Sequence, residues 1–170
     1  MAERKQVLYD LRYTYSGPFV VEELFAEIDN WIREKGFDQE PKKKLEHVTK
    51  NGVNIELITQ IHSHLDELHH GLIIVRLLMH NIKEDAIKKK GKKFNINHGE
   101  VFVNIDGMVQ SHIHGSFWQV KPVYYFIRSL IDQYIWNFWS FKWDSKVNTD
   151  CHDLFKRIKT YFDMQKYKHE

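Results

Sequence analysis

Two pairs of histidines have the spacing of metal ligands. His62-Ser63-His64 and His112-Ile113-His114 both read H-x-H within segments that alternate as β-strands. Residues two apart on a strand share a face and lie ~7 Å apart, so two imidazoles can reach one Zn²⁺ or Fe²⁺ ion. If the two strands are neighbours, His62, His64, His112 and His114 predict the metal site of a histidine-dependent enzyme. We favour the competing interpretation, in which these histidines face solvent or make ordinary hydrogen bonds.

A cluster of lysines around one glycine is the strongest local charge in the chain. It consists of Lys88, Lys89, Lys90, Lys92 and Lys93. Such a cluster can contact the phosphates of RNA, or anionic lipid head groups, through salt-dependent interactions. It also fits a soluble hairpin tip whose charges discourage edge-to-edge pairing. The cluster therefore predicts either an RNA- or ribosome-associated factor or a plain surface turn.

Aromatic residues are concentrated towards the C-terminus. The chain has five Trp, eight Tyr and eleven Phe, and the stretch 134–143 holds more rings than one helical stripe needs. We expect the last helix to cover these rings. Alternatively, they form an exposed patch for a protein partner, for a second copy of the chain or for a membrane interface.

Candidates for nucleophilic catalysis are few. Cys151 and His152 are adjacent, and adjacent side chains on a helix point apart, so they form no catalytic dyad. The glycines at 91, 99, 107 and 115 do not form a phosphate-binding loop before a helix. We therefore lean towards a protein without catalytic activity, and we assign no catalytic residue and no cofactor beyond the zinc or iron considered above.

Composition indicates one folded domain. A chain of 170 residues can bury roughly 70% of its unfolded surface, and a 42% hydrophobic fraction excludes a disordered chain. The single cysteine suits a reducing compartment. The first ten residues lack an apolar signal core, and no segment has the length and apolarity of a membrane span. We expect a cytoplasmic protein with a single domain over 1–170.

The hydrophobic pattern predicts the elements that position these residues. Residues 6–16 alternate as a strand, with Tyr9 on the same face as Leu11, Tyr13 and Tyr15. Gly17-Pro18 opens a helix that runs to a cap at Gly36.

Residues 43–114 then alternate as several antiparallel strands, with a hairpin turn at Asn51-Gly52. Segment 70–82 is apolar on both faces, which is typical of a central strand. Aliphatic residues at 53–65 and 101–113 point towards the helices, and the histidine pairs point away.

Helical spacing returns at 119–139, and a short last helix at about 149–164 follows a looser segment at 140–148. The sequence thus predicts an α+β fold: an antiparallel sheet of five to six strands, packed by an N-terminal helix, a long C-terminal helix and a short final helix. The long helix and the inner face of the sheet are the place for an apolar ligand. Its candidate lining residues are Phe126, Ile127, Leu130, Tyr134 and Phe138.

This order of elements, over residues 6–16, 18–35, 43–114 and 119–139, resembles the helix-grip architecture of the START-related ligand-binding proteins. The resemblance implies a curved sheet that wraps a long helix around a cavity, and it transfers no binding residue. The chain also resembles small archaeal proteins in its abundance of Lys, Ile and aromatic residues, a likeness that implies no activity. We expect a non-enzymatic binding protein for a small apolar ligand or a protein partner. An RNA-associated factor and a histidine-metal enzyme are the alternatives.

Overall fold

A computed structural model of the chain describes residues 2–67, 69–89, 92–112 and 137–169. Side chains are described for 4–67, 69–85, 95–111 and 141–168. Within these ranges the chain forms five strands and two helices. They are β1 (Ala2–Phe19), α1 (Val21–Lys35), β2 (Asp38–Thr49), β3 (Gly52–His64), β4 (His69–Lys89), β5 (Lys92–His112) and α2 (Asn137–His169).

The five strands form one antiparallel sheet in the order β1-β5-β4-β3-β2. The predicted α+β class with an antiparallel sheet is therefore confirmed. Strand β4 lies in the centre, as its two apolar faces predict. The turn at Asn51-Gly52 joins β2 to β3 in the predicted hairpin, and Gly52 has a φ of 145°, which few other residues adopt.

The start of the first helix differs from the prediction. Gly17 and Pro18 end β1, and the helix begins at Val21. Proline is tolerated here because β1 is an edge strand, where a missing backbone donor breaks no ladder bond. The Tyr15 hydroxyl donates to the Pro18 carbonyl at 2.8 Å and holds this segment extended. The predicted cap is confirmed, since Gly36 is left-handed with a φ of 68°.

Strand β1 also contains a bulge that alternation could not reveal. Its register with β5 shifts between Gln6 and Leu8 and again between Leu8 and Leu11, and Asp10 has a φ of 59°. The prediction that Tyr9 lies with Leu11 on the buried face is wrong for this reason, because Tyr9 is 76% exposed. Each register shift changes the face on which the following residue lies.

The final helix, predicted over about 149–164, is longer than predicted. Residues 140–148 are helical rather than loose, and α2 continues over 33 residues to His169. The sequence 137–169 contains neither glycine nor proline, so nothing interrupts the backbone hydrogen bonds. Thr149 is no cap but donates its hydroxyl to the Ser145 carbonyl one turn earlier at 2.8 Å. Most of the predicted helix 119–139 lies outside the described residues.

The core lies between the inner face of the sheet and the two helices. Aliphatic residues of β3 and β5 point inward as predicted, among them Ile61, Val101 and Ile105, each fully buried. Ion pairs and hydrogen bonds join the helices. Trp31 Nε1 donates to Asp153 at 3.0 Å, and Arg157 contacts Glu27 and Glu34 at 3.0 and 2.5 Å. No helix in the described ranges is both long and apolar enough to cross a membrane.

Candidate functional site

Strands β4 and β5 extend beyond the rest of the sheet as a two-stranded ribbon. Strand β3 pairs with β4 no further than Ile82, and β1 pairs with β5 no further than Asn97. Five consecutive pairs follow, from Asp85–Ile96 to Lys89–Lys92, in which the two strands pair with each other. We call residues 85–89 and 92–96 the ribbon. At ~3.3 Å per residue it is ~16 Å long.

The ribbon and the residues next to it carry a local excess of positive charge. The two strands that lead to the predicted hairpin tip pair as expected, Lys88 with Lys93 and Lys89 with Lys92, and residues 90 and 91 lie outside the described residues. Residues 83–93 contain six lysines and two acidic residues, a net charge of +4, whereas the whole chain has a net charge of +2. The remaining residues therefore sum to −2.

A second lysine cluster, on β2, has ion-pair partners among the described residues. Lys42 and Lys43 lie 2.5 and 2.6 Å from the carboxylates of Glu40 and Glu56. Lys44 lies 3.9 Å from Glu46 on the same strand. Each charge of this cluster is thus offset by a neighbouring carboxylate.

A bulge fixes the base of the ribbon. His80 pairs with Glu100 and Lys83 with His98, so Asn81 and Ile82 together oppose Gly99. A β-carbon on Gly99 would lie 2.8 Å from the His80 carbonyl oxygen, which explains the glycine. Because the bulge inserts one residue, the face that each following side chain takes is reversed. Ile82 is buried in the core, and Lys83 lies on the outer face.

Two side chains tie this base to the body of the protein. Asn54 Oδ1 accepts from the backbone N–H of Asn81 at 2.9 Å and supports its left-handed conformation, with a φ of 54°. Asn97 Oδ1 accepts from Val21 N at the start of α1, at 3.4 Å. Beside the bulge lies an open polar recess of about 440 Å³. Its lining includes Ser16, Asn51, Asn81, Lys83, His98 and Glu100.

The outer face of β4 and β5 continues from this recess. Leu78 pairs with Phe102, and these apolar side chains are 38% and 37% exposed. The His80 ring meets the Phe102 ring edge-on, with centroids 5.7 Å apart. Arg76 pairs with Asn104 one step further. Hydrophobic side chains at these positions were visible in the sequence, but their exposure depends on which face the helices cover.

A buried carboxylate orients Arg76. Arg76 Nη1 donates to Asp106 Oδ2 at 2.5 Å and to Asn104 Oδ1 at 2.8 Å. The second oxygen of Asp106 accepts from the backbone N–H of Asp10 at 2.7 Å, within the β1 bulge. Asp106 is 4% exposed although it faces outward as predicted, because this network surrounds it.

Three of the four predicted metal ligands, His62, His64 and His112, fall on described strands, and these two strands are not neighbours. His62 and His64 lie on the outer face of β3, and β4 separates β3 from β5, which holds His112. His62 contacts Glu40 at 3.4 Å and His64 contacts Asp38 at 3.1 Å. The cross-strand partner of His64 is His70, which the sequence did not indicate, with ring centroids 5.2 Å apart.

Among the described side chains, no group of three or more histidine, cysteine or acidic residues could hold a metal ion. His112 is described only as backbone, and His114 lies outside the described residues. The zinc or iron site built on His62, His64, His112 and His114 therefore stays a prediction.

The predicted apolar ligand residues are also untested. Phe126, Ile127, Leu130 and Tyr134 lie outside the described residues, and Phe138 belongs to α2 without a described side chain. Where side chains are described, rings and aliphatic groups fill the space between the helices and the sheet. A recess of about 160 Å³ remains between α1 and β3, lined in part by Phe25, Ile28, Leu57 and Thr59.

The structure also describes Cys151 and part of the aromatic stretch 134–143. Burial raises the pKa of Cys151 to about 12, so its thiol stays protonated at neutral pH. Of the aromatic stretch 134–143, Phe141 is 73% exposed, and Trp143 stacks on His69 with centroids 6.3 Å apart. Phe141 thus remains available for the predicted contact with a protein partner.

Comparison of the chain with protein-family models, with curated proteins and with solved structures finds no match in any of the three.

Proposed function

We propose that this chain is a non-enzymatic binding protein whose ribbon contacts the phosphate backbone of nucleic acid. The observation that supports the proposal most is the position of the lysine cluster. Four of its five lysines, Lys88, Lys89, Lys92 and Lys93, lie at the end of a two-stranded extension, beyond the last pairs with β1 and β3.

Charge supports the same proposal. Residues 83–93 sum to +4 and the rest of the chain to −2, so a polyanion is attracted to this segment more than to the rest of the chain. Each lysine that neutralises a phosphate releases condensed counterions, which favours binding at low salt. The lysines of β2 lack this effect because Glu40, Glu56 and Glu46 already offset them.

Shape favours nucleic acid over a lipid surface. A two-stranded ribbon fits into a groove of a nucleic acid or alongside one strand. A flat membrane favours a broad basic face flanked by apolar residues, because the charges and the apolar groups then insert together. The ribbon instead presents its charge at a narrow end.

The test compares two sets of lysines by fluorescence anisotropy with a labelled RNA oligonucleotide. One variant combines Lys88→Gln, Lys89→Gln and Lys90→Gln. The matched control combines Lys42→Gln, Lys43→Gln and Lys44→Gln, and so removes the same formal charge from β2. Affinity is measured at several salt concentrations between about 50 and 200 mM.

We expect the wild type to lose affinity steeply with salt. A phosphate contact with a single strand contributes a slope of about 0.7, so the ribbon variant should lower the slope by about 2. The control should change it little. Salt-insensitive binding, or equal effects of the two variants, would contradict the proposal. Binding to anionic vesicles in preference to RNA would replace nucleic acid by lipid as the partner.

A further inference from the structure

The outer face of β4 and β5 forms one continuous ladder that starts at the base of the ribbon. Because paired residues share a face and successive outward residues are two apart, four outward pairs follow one another. They are Lys83–His98, His80–Glu100, Leu78–Phe102 and Arg76–Asn104. We call these eight residues the outer ladder. At ~6.6 Å per step it covers ~20 Å.

The middle of the outer ladder is an apolar platform. Phe102 and Leu78 face outward side by side, each more than one third exposed, on the two central strands. Exposed aromatic rings on a sheet are sites on which unpaired bases stack, because every base has an apolar face. The edge-on contact with His80 holds the Phe102 ring in place.

The far end of the outer ladder presents a fixed guanidinium. Arg76 is 42% exposed, and its hydrogen bonds to Asp106 and Asn104 hold it in one orientation. A held guanidinium can stack on a base or contact a phosphate without losing further side-chain freedom. Of the nearby carboxylates, Asp106 is paired with Arg76 and Glu56 with Lys43 at 2.6 Å, whereas Glu100 belongs to the outer ladder and adds a negative charge to it.

We propose that the partner is a single-stranded nucleic acid that runs from the ribbon along the outer ladder. Its phosphates contact the ribbon lysines and Lys83, and one base stacks on Phe102. This inference rests on the proposed function and adds to it the strand form of the partner. A duplex cannot reach the platform in this way, because its bases are stacked on one another.

The experiment measures the affinity of the whole chain for a labelled single strand of about 12 nucleotides and for a duplex of the same length. Phe102→Ala removes the stacking surface. Phe141→Ala is the matched control, because Phe141 is an exposed phenylalanine on α2, away from the outer ladder. If Phe102→Ala does not fold, Phe102→Leu keeps an apolar side chain but removes the ring.

We expect the single strand to bind more tightly than the duplex, and Phe102→Ala to weaken single-strand binding at least about tenfold. Phe141→Ala should leave it unchanged. Glu100→Gln should tighten binding, since it removes a negative charge from the path of the phosphates.

Equal binding of duplex and single strand, or equal affinity of the Phe102 and Phe141 variants, would overturn this inference. If the ribbon variant still reduces binding in that case, the proposed function stands without the platform. If neither the single strand nor the duplex binds at low salt, both proposals fail.

Discussion

Helix α2 lies close to the sheet over small side chains, and Gly71 on β4 gives a direct test of this packing. A β-carbon on Gly71 would overlap with Ser63 Oγ and lie 2.9 Å from Val147 Cγ2. Strand β4 is paired on both sides and cannot easily retreat. Overfilling a packed core costs about 1–3 kcal/mol, so Gly71→Ala should lower the free energy of unfolding by about 2 kcal/mol. For a chain of this size the melting temperature should fall by about 4–8 °C.

The side chain of Ser63 makes the prediction specific. Its hydroxyl is buried and has no hydrogen-bond partner among the described residues. Removing it therefore loses no hydrogen bond and opens the space that the new methyl group needs. Ser63→Ala alone should change the free energy of unfolding by less than about 1 kcal/mol. The double variant should regain about 1 kcal/mol of what Gly71→Ala loses.

Urea unfolding of the four proteins, followed by tryptophan fluorescence, measures this coupling. Gly36→Ala is the control, because a β-carbon on Gly36 would meet no atom within 4 Å, although the backbone there is left-handed. Gly36→Ala should lower the free energy of unfolding by about 1 kcal/mol through backbone strain alone. Its effect and that of Ser63→Ala should be additive in the double variant. A Gly71→Ala variant as stable as the wild type, or a double variant no better than the single one, would refute the packing described for β4 and α2.

Three residues of α2 give further expected outcomes. Since the pKa of Cys151 is raised to about 12, a thiol reagent at about pH 8 should label the native protein far more slowly than protein in guanidinium chloride. The hydrogen bond from Trp31 lowers the pKa of Asp153, so this carboxylate contributes stability above its ordinary pKa of about 3.9 that is lost as the pH falls through the lowered value. Urea midpoints of Asp153→Asn should therefore fall less than those of the wild type between about pH 5 and 3. Tyr161 donates to the Val20 carbonyl at 2.9 Å and accepts from Val20 N at 3.1 Å, so Tyr161→Phe should lower the free energy of unfolding by about 1–3 kcal/mol in the same urea assay.

The contradicting results are equally specific. Rapid labelling of native Cys151 would mean that its thiol is not buried between α2 and the sheet. Parallel losses of stability in acid for Asp153→Asn and the wild type would mean that the Trp31 contact does not favour the carboxylate. An unchanged urea midpoint for Tyr161→Phe would mean that its hydroxyl does not join α2 to the chain before α1.

Local pattern was sufficient for most of the fold. Alternation over 43–114 predicted the antiparallel strands, and the two apolar faces of 70–82 predicted the central position of β4. Gly36 and Asn51-Gly52 marked a cap and a turn, because few residues other than glycine adopt left-handed backbone conformations there. Residues 140–148 misled the prediction, since Thr149 resembles the start of a helix but lies inside one.

The candidate site was predictable only in part. The lysine cluster was visible because it is contiguous in sequence. The last pairs of β3 with β4 and of β1 with β5, at Ile82 and Asn97, cannot be read from spacing, and neither can the bulge at Asn81, because both depend on where neighbouring strands end. The same reason hid the pairing of Lys42 and Lys43 with carboxylates of β2 and β3.

The sequence by itself determined which lysines could bind a polyanion and which segments would pair as strands, because both properties are local. Only the tertiary structure decided that the lysines lie at the end of a ribbon and that Phe102 and Arg76 follow them on one face. Strand order, register and bulges arise from contacts between residues far apart in the chain. Those contacts place the lysine-rich ribbon next to the outer ladder of β4 and β5.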